Sequence, residues 1–206
     1  MRESYKATNR RLADKVINWH AIFKGDGADI GCGDDPLSRE LWPNIENLLC
    51  FDLPQGDANY FSNYVELNSL DFVHGSQVLE HMHNPIMALA NWGKALKPGG
   101  FIVITVPDFY LYEHGNWPSK YNDDHKSTWS VTRPGSPCKQ HIYLGDILNN
   151  VHAMFLLQHN LEFSPVLTPR LVDTNYNYSL PFGTDQTYDF NKGVECWVEF
   201  ILQKTQ

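Results

Sequence analysis

The sequence predicts an α/β fold built on a doubly wound, mostly parallel β-sheet, and three stretches favour this class. Residues 27–33 have the sequence Gly-Ala-Asp-Ile-Gly-Cys-Gly, a short strand-like run that enters a glycine turn. Residues 48–51 form a second short apolar run, which ends in the carboxylate of Asp52. Residues 101–106 are almost entirely apolar, as expected for a strand buried on both faces of a parallel sheet.

The spacing of apolar residues predicts the remaining elements in chain order. The helix expected after the glycine turn has Asp35 as a candidate N-cap and Pro36 in its first turn. The predicted helices are residues 10–23, 36–42, 85–96 and 146–159. The predicted strands are residues 28–30, 44–52, 70–76, 101–106, 161–172 and 194–202. Pro165 and Pro169 suit only an edge strand or a bulge.

The glycine turn and Asp52 predict a site for a nucleotide-like ligand. Glycines let the backbone approach a ligand closely, and a helix N-terminus after the turn would offer free N–H groups. Asp52 could accept hydrogen bonds from both hydroxyls of a ribose. A dinucleotide fingerprint would need a third glycine at position 36, where the chain has Pro36. Pro36 therefore disfavours an NAD-dependent oxidoreductase, which stays open as a weaker alternative, as does a glycine turn with no ligand.

Composition and length exclude several classes of protein. The chain has 206 residues, which fits one domain or one domain with an insertion. Its net charge of −8 argues against broad nucleic-acid binding. No segment approaches the roughly 18 apolar residues of a membrane span, and residues 1–11 are too polar for a secretory signal. The four cysteines are far apart, so we expect a cytoplasmic protein with reduced thiols and no zinc cluster.

Residues 107–143 differ in character from the rest of the chain. They are rich in aromatic side chains and carry three histidines, His114, His125 and His141. They follow the strand 101–106, whose carboxyl end should face the ligand in a doubly wound sheet. We therefore predict a substrate-binding insertion or lid over residues 107–143. The alternative is an aromatic-rich structural cap without contact to a substrate.

Three segments resemble one family in the right order. The pattern acid-x-Gly-x-Gly at Asp29, Gly31 and Gly33 resembles the first motif of class I S-adenosylmethionine-dependent methyltransferases. Residues 76–85, with Val-Leu-Glu-His inside them, resemble the type 11 small-molecule methyltransferases, as does Leu-Lys-Pro-Gly-Gly at residues 96–100. The resemblance implies one methyltransferase domain over residues 1–206. It also implies a Rossmann-like sheet of seven strands with an antiparallel C-terminal strand, helices on both faces and a shortened segment between strands 2 and 4.

The resemblance further implies the cofactor S-adenosylmethionine, with S-adenosylhomocysteine as product. Asp29 would hold the ammonium group directly or through water, Asp52 the ribose, and Asp57 the adenine amino group. Arg10 or Arg11 would reach the methionine carboxylate, or else lie in solvent. The implied cofactor-binding residues are Asp29, Gly31, Cys32, Gly33, Asp52, Leu53, Asp57, Ala58, Ser76, Gln77 and His81.

The expected reaction is methyl transfer to an oxygen or nitrogen atom of a small-molecule substrate. A hydroxyl acceptor needs a base, and His125 is the first candidate because Asp123 and Asp124 could orient it. His141 and His114 follow, and each histidine could instead be structural. Asp124 and His125 lack a recognisable ligand spacing, so no metal site is predicted. The alternative function is a catalytically inactive S-adenosylmethionine-binding module of the same fold.

Overall fold

The computed structural model describes residues 3–145, 161–180, 186 and 194–205, and these form three α-helices, a main β-sheet, a separate two-stranded sheet and irregular segments. The α-helices are α1 (Glu3–Ala13), α2 (Trp19–Ile22) and α3 (Pro85–Ala95), and 3-10 turns lie at Ala58–Asn63 and Leu79–His81. The strands are β1 (Gly25–Ile30), β2 (Ile45–Phe51), β3 (Leu70–Ser76), β4 (Leu96–Pro107), β5 (Thr128–Ser130), β6 (His141–Tyr143), β7 (Phe163–Val172) and β8 (Trp197–Lys204). The predicted helix 146–159 lies outside the described residues.

The main sheet has the strand order β2-β1-β3-β4-β8-β7. Strands β1 to β4 pair in parallel, whereas β8 runs antiparallel to both β4 and β7. The prediction of a doubly wound, mostly parallel sheet with an antiparallel C-terminal strand is therefore confirmed. The described residues place six strands in this sheet, whereas seven were predicted. Residues 52–69, between β2 and β3, contain only a 3-10 turn, which agrees with the predicted shortening there.

Successive residues of the central strands point to opposite faces of the sheet and contribute to two hydrophobic cores, one on each face. Val73, Ile102 and Ile104 pack on one face with α3, where Trp92 is fully buried. The opposite core contains Phe72 and Val103 together with Trp19, Phe23 and Trp42. The prediction of helical layers on both faces is confirmed, and the sheet lies between the two cores.

The helix predicted over residues 10–23 is wrong in its bounds. Helix α1 ends at Ala13, because the Asp14 carboxylate then accepts hydrogen bonds from the N–H groups of Val16 and Ile17 in a local turn. Arg10 is partly buried and Arg11 is fully buried, so neither is a solvated surface charge. Both bind Glu199 of β8, at 2.9 Å from Arg10 Nη1 and 2.9 Å from Arg11 Nε.

The helix predicted over residues 36–42 is absent, and that segment runs as turns. Its two large apolar residues, Leu37 and Trp42, are both buried. Five residues apart, they would lie about 140° apart around a helix, so a helix could not bury both on one face. Irregular backbone allows both side chains to enter the core beside Phe23.

Helix α3 and the last strands follow the sequence signals closely. Asn84 caps α3 by accepting a hydrogen bond from the N–H of Met87, and Pro85 occupies the first turn. The helix ends at Ala95, before Pro98 and Gly99. Strand β7 lies at the sheet edge, as its two prolines require. Across the described ranges, no helix combines the length and the apolar character needed to cross a membrane.

Candidate active site

Two adjoining cavities lie at the carboxyl ends of β1 to β4. The first, which we call the Asp52 cavity, has a volume of about 410 Å³. The second, which we call the Glu80 cavity, has a volume of about 280 Å³. Gly31, Gln77 and His81 line both cavities, so the two spaces meet at the end of β1 and the turn after β3.

The glycine turn is shaped by close contacts that only glycine permits. Gly31 has φ of 69°, and a Cβ atom there would lie 2.6 Å from Cγ2 of Val78. The N–H of Gly33 donates a hydrogen bond to Asp52 Oδ2 at 3.0 Å. The N–H of Leu53 donates to Asp52 Oδ1 at 2.8 Å. The backbone therefore fixes the Asp52 carboxylate against the turn, where it lines the Asp52 cavity.

All but one of the predicted cofactor-binding residues line these cavities. Those on the Asp52 cavity are Gly31, Asp52, Leu53, Asp57, Ala58, Gln77 and His81. The Glu80 cavity adds Cys32, Gly33 and Ser76. Burial and the neighbouring Cys50 raise the pKa of the Cys32 thiol to about 12, so Cys32 is a neutral lining group and not a nucleophile.

Asp29 is the exception. It is 1% exposed and lies beneath the glycine turn, outside the lining of both cavities. Its Oδ2 accepts the N–H of Leu37 at 2.7 Å, and its Oδ1 lies 2.6 Å from His74 Nδ1. Arg11 Nη1 lies 3.1 Å from His74 Nε2. Because arginine only donates, Nε2 accepts and Nδ1 carries the proton given to Asp29. These bonds occupy the Asp29 carboxylate and let it support the turn, and its contact with a ligand ammonium group, directly or through water, stays a prediction.

Gln77 occupies the junction in a strained conformation. Its φ is 56°, which is uncommon for a residue other than glycine. Its side-chain Nε2 is buried and has no hydrogen-bond partner among the described residues. A backbone outlier with an unsatisfied donor is a feature of ligand sites, since a bound molecule can complete the hydrogen bonding.

Three side chains meet in the Glu80 cavity. Glu80 is 1% exposed, and its Oε1 lies 3.8 Å from His81 Nε2 and 3.9 Å from His125 Nε2. The backbone carbonyl of Glu80 accepts the N–H groups of Lys126 and Ser127 at 2.8 and 3.1 Å. These bonds fasten the insertion to the turn after β3 and bring His125 to the cavity.

The imidazoles of His81 and His125 are oriented by carboxylates that do not line the Glu80 cavity. Glu113 Oε1 lies 2.6 Å from His125 Nδ1, and Asp124 Oδ2 lies 3.0 Å from His81 Nδ1. The prediction that Asp123 and Asp124 orient His125 is wrong, since Glu113 does so and Asp124 serves His81. Burial alone would lower the pKa of His125, but the Glu113 hydrogen bond and the charge of Glu80 raise it. Burial raises the pKa of Glu80.

The other two candidate histidines lie away from both cavities. His141, on β6, has Nδ1 2.9 Å from Thr128 Oγ1 and Nε2 3.2 Å from Ser130 Oγ. Burial lowers the pKa of His141. His114 is buried and packs against the ring of Tyr121 at 5.7 Å between centroids. Their place in the structure supports the structural alternative for both residues.

Among the contributors to the Glu80 cavity that sequence reasoning missed are Glu80, Tyr112, Glu113 and Asn122. Glu80 was inside the matched Val-Leu-Glu-His segment, so its position beside His81 was a usable signal. Tyr112, Asn122 and His125 line the cavity from the insertion, and Glu113 supports His125 from behind. Nothing in the spacing of these residues indicates that the insertion would gather them.

A doubly wound sheet with a two-part cavity at its carboxyl edge defines a ligand-binding α/β domain. The family model described as "Methyltransferase domain" matches residues 8–146, which is more than half of the chain. The chain belongs to this methyltransferase family, and we conclude that it is an enzyme. No curated protein sequence matches it.

Solved structures share this fold at low sequence identity. An S-adenosylmethionine-dependent methyltransferase from Archaeoglobus fulgidus is 15% identical, with a TM-score of 0.51 over 99% of this chain and 95% of that one. A candidate sarcosine dimethylglycine methyltransferase from Galdieria sulphuraria is 13% identical, with a TM-score of 0.53 over 97% and 86%. A candidate methyltransferase from Haloferax volcanii, solved with the activator Trm112, is 10% identical, with a TM-score of 0.51 over 99% and 90%. These likenesses confirm the Rossmann-like fold.

Proposed function

We propose that the chain binds S-adenosylmethionine and transfers its methyl group to an oxygen or nitrogen atom of a small-molecule acceptor. The observation that carries the proposal is the junction of the two cavities at Gly31, Gln77 and His81. The Asp52 cavity offers partners for a nucleoside, and the Glu80 cavity offers side chains suited to an acceptor. A ligand that fills the first cavity and reaches the junction would present its sulfonium methyl group to the second.

In this proposal the Asp52 cavity holds the adenosine. Each oxygen of Asp52 accepts one backbone N–H and keeps a second lone pair, which suits a ribose diol. Asp57 lines the same cavity, and hydrogen bonds from Asn59 hold its carboxylate and lower its pKa. It would accept a hydrogen bond from the adenine amino group.

The Glu80 cavity, which the sulfonium group would face from the junction, has a lining that suits a cation. Its lining includes the acidic residues Glu3, Asp34, Asp35 and Glu80 and the aromatic residues Tyr112 and Trp197. Acidic groups and aromatic faces both favour a sulfonium cation. The unpartnered Nε2 of Gln77 would donate a hydrogen bond to the ligand at the junction.

His125 would activate a hydroxyl acceptor in this proposal. Its Nδ1–H donates to Glu113, because a carboxylate only accepts, and this leaves Nε2 facing the cavity to take a proton. The acceptor oxygen would attack the methyl carbon in line with the departing sulfur. The S–C bond would break with its electron pair kept by sulfur, which yields S-adenosylhomocysteine. The insertion 107–143 would form one wall of the acceptor site, through Tyr112 and Asn122.

The test has two stages. Calorimetric titration with S-adenosylmethionine, S-adenosylhomocysteine and NAD should show micromolar binding of the first two and none of the third. S-adenosylhomocysteine formation is then measured with pooled phenols, carbohydrates and amines. Folded protein that binds neither sulfur compound would overturn the proposal, and binding of NAD alone would favour the oxidoreductase. Cofactor binding without turnover in any pool would favour the inactive module.

A further inference from the structure

The side chains of Glu80, His81 and His125 bring three potential metal-ligand atoms close together in the Glu80 cavity. Glu80 Oε1 lies 3.8 Å from His81 Nε2 and 3.9 Å from His125 Nε2, and all three ligand atoms lie within 4.8 Å of one another. Ligands bound tetrahedrally at about 2.0–2.1 Å from Zn²⁺ are roughly 3.4 Å apart. Small side-chain rotations would close the difference.

Each histidine is also held as metal-binding histidines are. A ligating imidazole commonly donates its second ring N–H to a carboxylate, which fixes the tautomer and the ring orientation. Here Nδ1 of His125 donates to Glu113 at 2.6 Å, and Nδ1 of His81 donates to Asp124 at 3.0 Å. Both Nε2 atoms therefore carry a lone pair toward Glu80. A single catalytic base needs one histidine supported by a carboxylate. Here two such histidines direct Nε2 toward the same carboxylate, Glu80.

The buried charge around the site lacks a cation. Glu80 Oε2 and Glu113 Oε2 are buried without a hydrogen-bond partner in the described part of the chain. Lys126 pairs with Asp124 at 2.9 Å, and the ion pairs recorded for Glu80 and Glu113 in that part involve only histidines. Buried carboxylates are costly unless they are paired or coordinate a metal. An ion beside Glu80 would supply that compensation.

We propose that Glu80, His81 and His125 bind a divalent transition-metal ion, with Zn²⁺ as the first case. Two imidazole nitrogens and one carboxylate oxygen suit Zn²⁺, whereas Mn²⁺ and Mg²⁺ prefer oxygen ligands. Three protein ligands leave at least one position open toward the cavity, as in catalytic zinc sites.

The role of the ion rests on the proposed methyl transfer, although the binding site does not. A hydroxyl acceptor bound at the open position would lose its proton to water, because the ion lowers its pKa. The oxygen would then attack the methyl carbon as the S–C bond breaks, with the electron pair left on sulfur. Nε2 of His125 cannot bind the ion and take a proton together, so the ion would replace it as the activating group.

The test measures zinc bound by the intact chain. Protein treated with a chelator and dialysed is equilibrated separately with Zn²⁺, Mn²⁺ and Mg²⁺, gel-filtered and analysed for metal. We expect about one Zn²⁺ per chain, a higher unfolding temperature with Zn²⁺, and no retained Mg²⁺. Glu80→Gln and His81→Gln should each weaken zinc binding at least about tenfold. His20→Gln, at an exposed histidine outside both cavities, should match the wild type.

Two results would overturn the metal site. One is a zinc content no higher than that of the chelator-treated protein. The other is equal zinc affinity in wild type, Glu80→Gln and His81→Gln, with circular dichroism showing that the variants are folded. S-adenosylmethionine is titrated into the same ion-free sample. Cofactor binding by protein that takes up no zinc would defeat the metal site alone, and zinc uptake without cofactor binding would defeat the proposed function alone.

Discussion

Glu113 and His125 are joined by a hydrogen bond of 2.6 Å, although they are twelve residues apart along an irregular insertion. Both side chains are buried, and His125 turns its free Nε2 toward Glu80. The insertion is therefore a built part of the site, since it delivers an oriented imidazole to the cavity beside the strand ends. Whether that imidazole takes a proton or binds an ion, its position depends on Glu113.

The first prediction concerns the hydrogen bond between Glu113 and His125. Glu113→Gln keeps the size of the side chain but removes the charge that raises the basicity of His125. Zinc affinity should fall about 10- to 100-fold, as it does when such outer partners are lost. Affinity for S-adenosylmethionine should stay unchanged, because Glu113 does not line the Asp52 cavity. Calorimetry measures both, and Glu40→Gln, at an exposed carboxylate, is the control. Unchanged zinc affinity in Glu113→Gln would contradict the assignment.

The second prediction tests the ribose clamp. Asp52→Asn removes the charge while leaving an oxygen near the N–H of Gly33. The loss of charge-assisted hydrogen bonds should cost about 1.5–3 kcal/mol, which is about 10- to 150-fold in the dissociation constant for S-adenosylmethionine. Glu46→Gln, at an exposed position of β2, the strand that Asp52 follows, should bind as the wild type does. Equal affinity of Asp52→Asn and wild type would show that Asp52 does not contact the cofactor.

The third prediction separates the shape of the glycine turn from its backbone angle. Gly31→Ala places a Cβ 2.6 Å from Val78, whereas Gly99→Ala meets no atom within 4 Å, and both positions have positive φ. Gly99→Ala should therefore cost only the backbone term, about 1–2 kcal/mol of unfolding free energy. Gly31→Ala should cost about 1–3 kcal/mol more and also weaken cofactor binding. Denaturant unfolding and calorimetry measure the two effects. Equal losses of stability would argue against the contact with Val78.

The fourth prediction concerns acid stability. Although burial alone would raise the pKa of Glu199, Arg11, Arg10 and Arg170 hold it at about 2, below its ordinary value of 4.5. A lowered folded-state pKa contributes stability above the unfolded value, and that contribution is lost as the pH falls from about 4.5 toward 2. The shift corresponds to roughly 3 kcal/mol.

Urea unfolding at pH 7, 4 and 3 measures this dependence. The wild type should lose stability steeply below pH 4.5, and Glu199→Gln should be less stable at pH 7 by about 3–5 kcal/mol, because it leaves buried arginine charge uncompensated. The variant should also show a flatter slope in the acid range. Parallel slopes for the two proteins would mean that another carboxylate controls acid unfolding.

Features encoded by adjacent residues could be predicted from the sequence. The glycine turn, the acid at the end of β2 and the cap of α3 at Asn84 each depend on a few neighbouring residues. The place of the glycine turn and Asp52 at the Asp52 cavity followed from them, whereas the burial of Asp29 did not. The Asp29 carboxylate is hydrogen-bonded to His74, which lies beside it on the adjacent strand but is 45 residues away in the chain.

The sequence by itself determined the sheet, its parallel core, and the glycine turn and Asp52 that line the Asp52 cavity, because strand periodicity and glycine turns are local properties. Only the tertiary structure decided which carboxylate supports which histidine. Asp124 serves His81, 43 residues distant, while Glu113 serves His125. These partners are set by the path of an insertion without regular periodicity, whose course depends on contacts such as the Glu80 carbonyl with Lys126 and Ser127. Such long-range packing leaves no spacing signal in the chain.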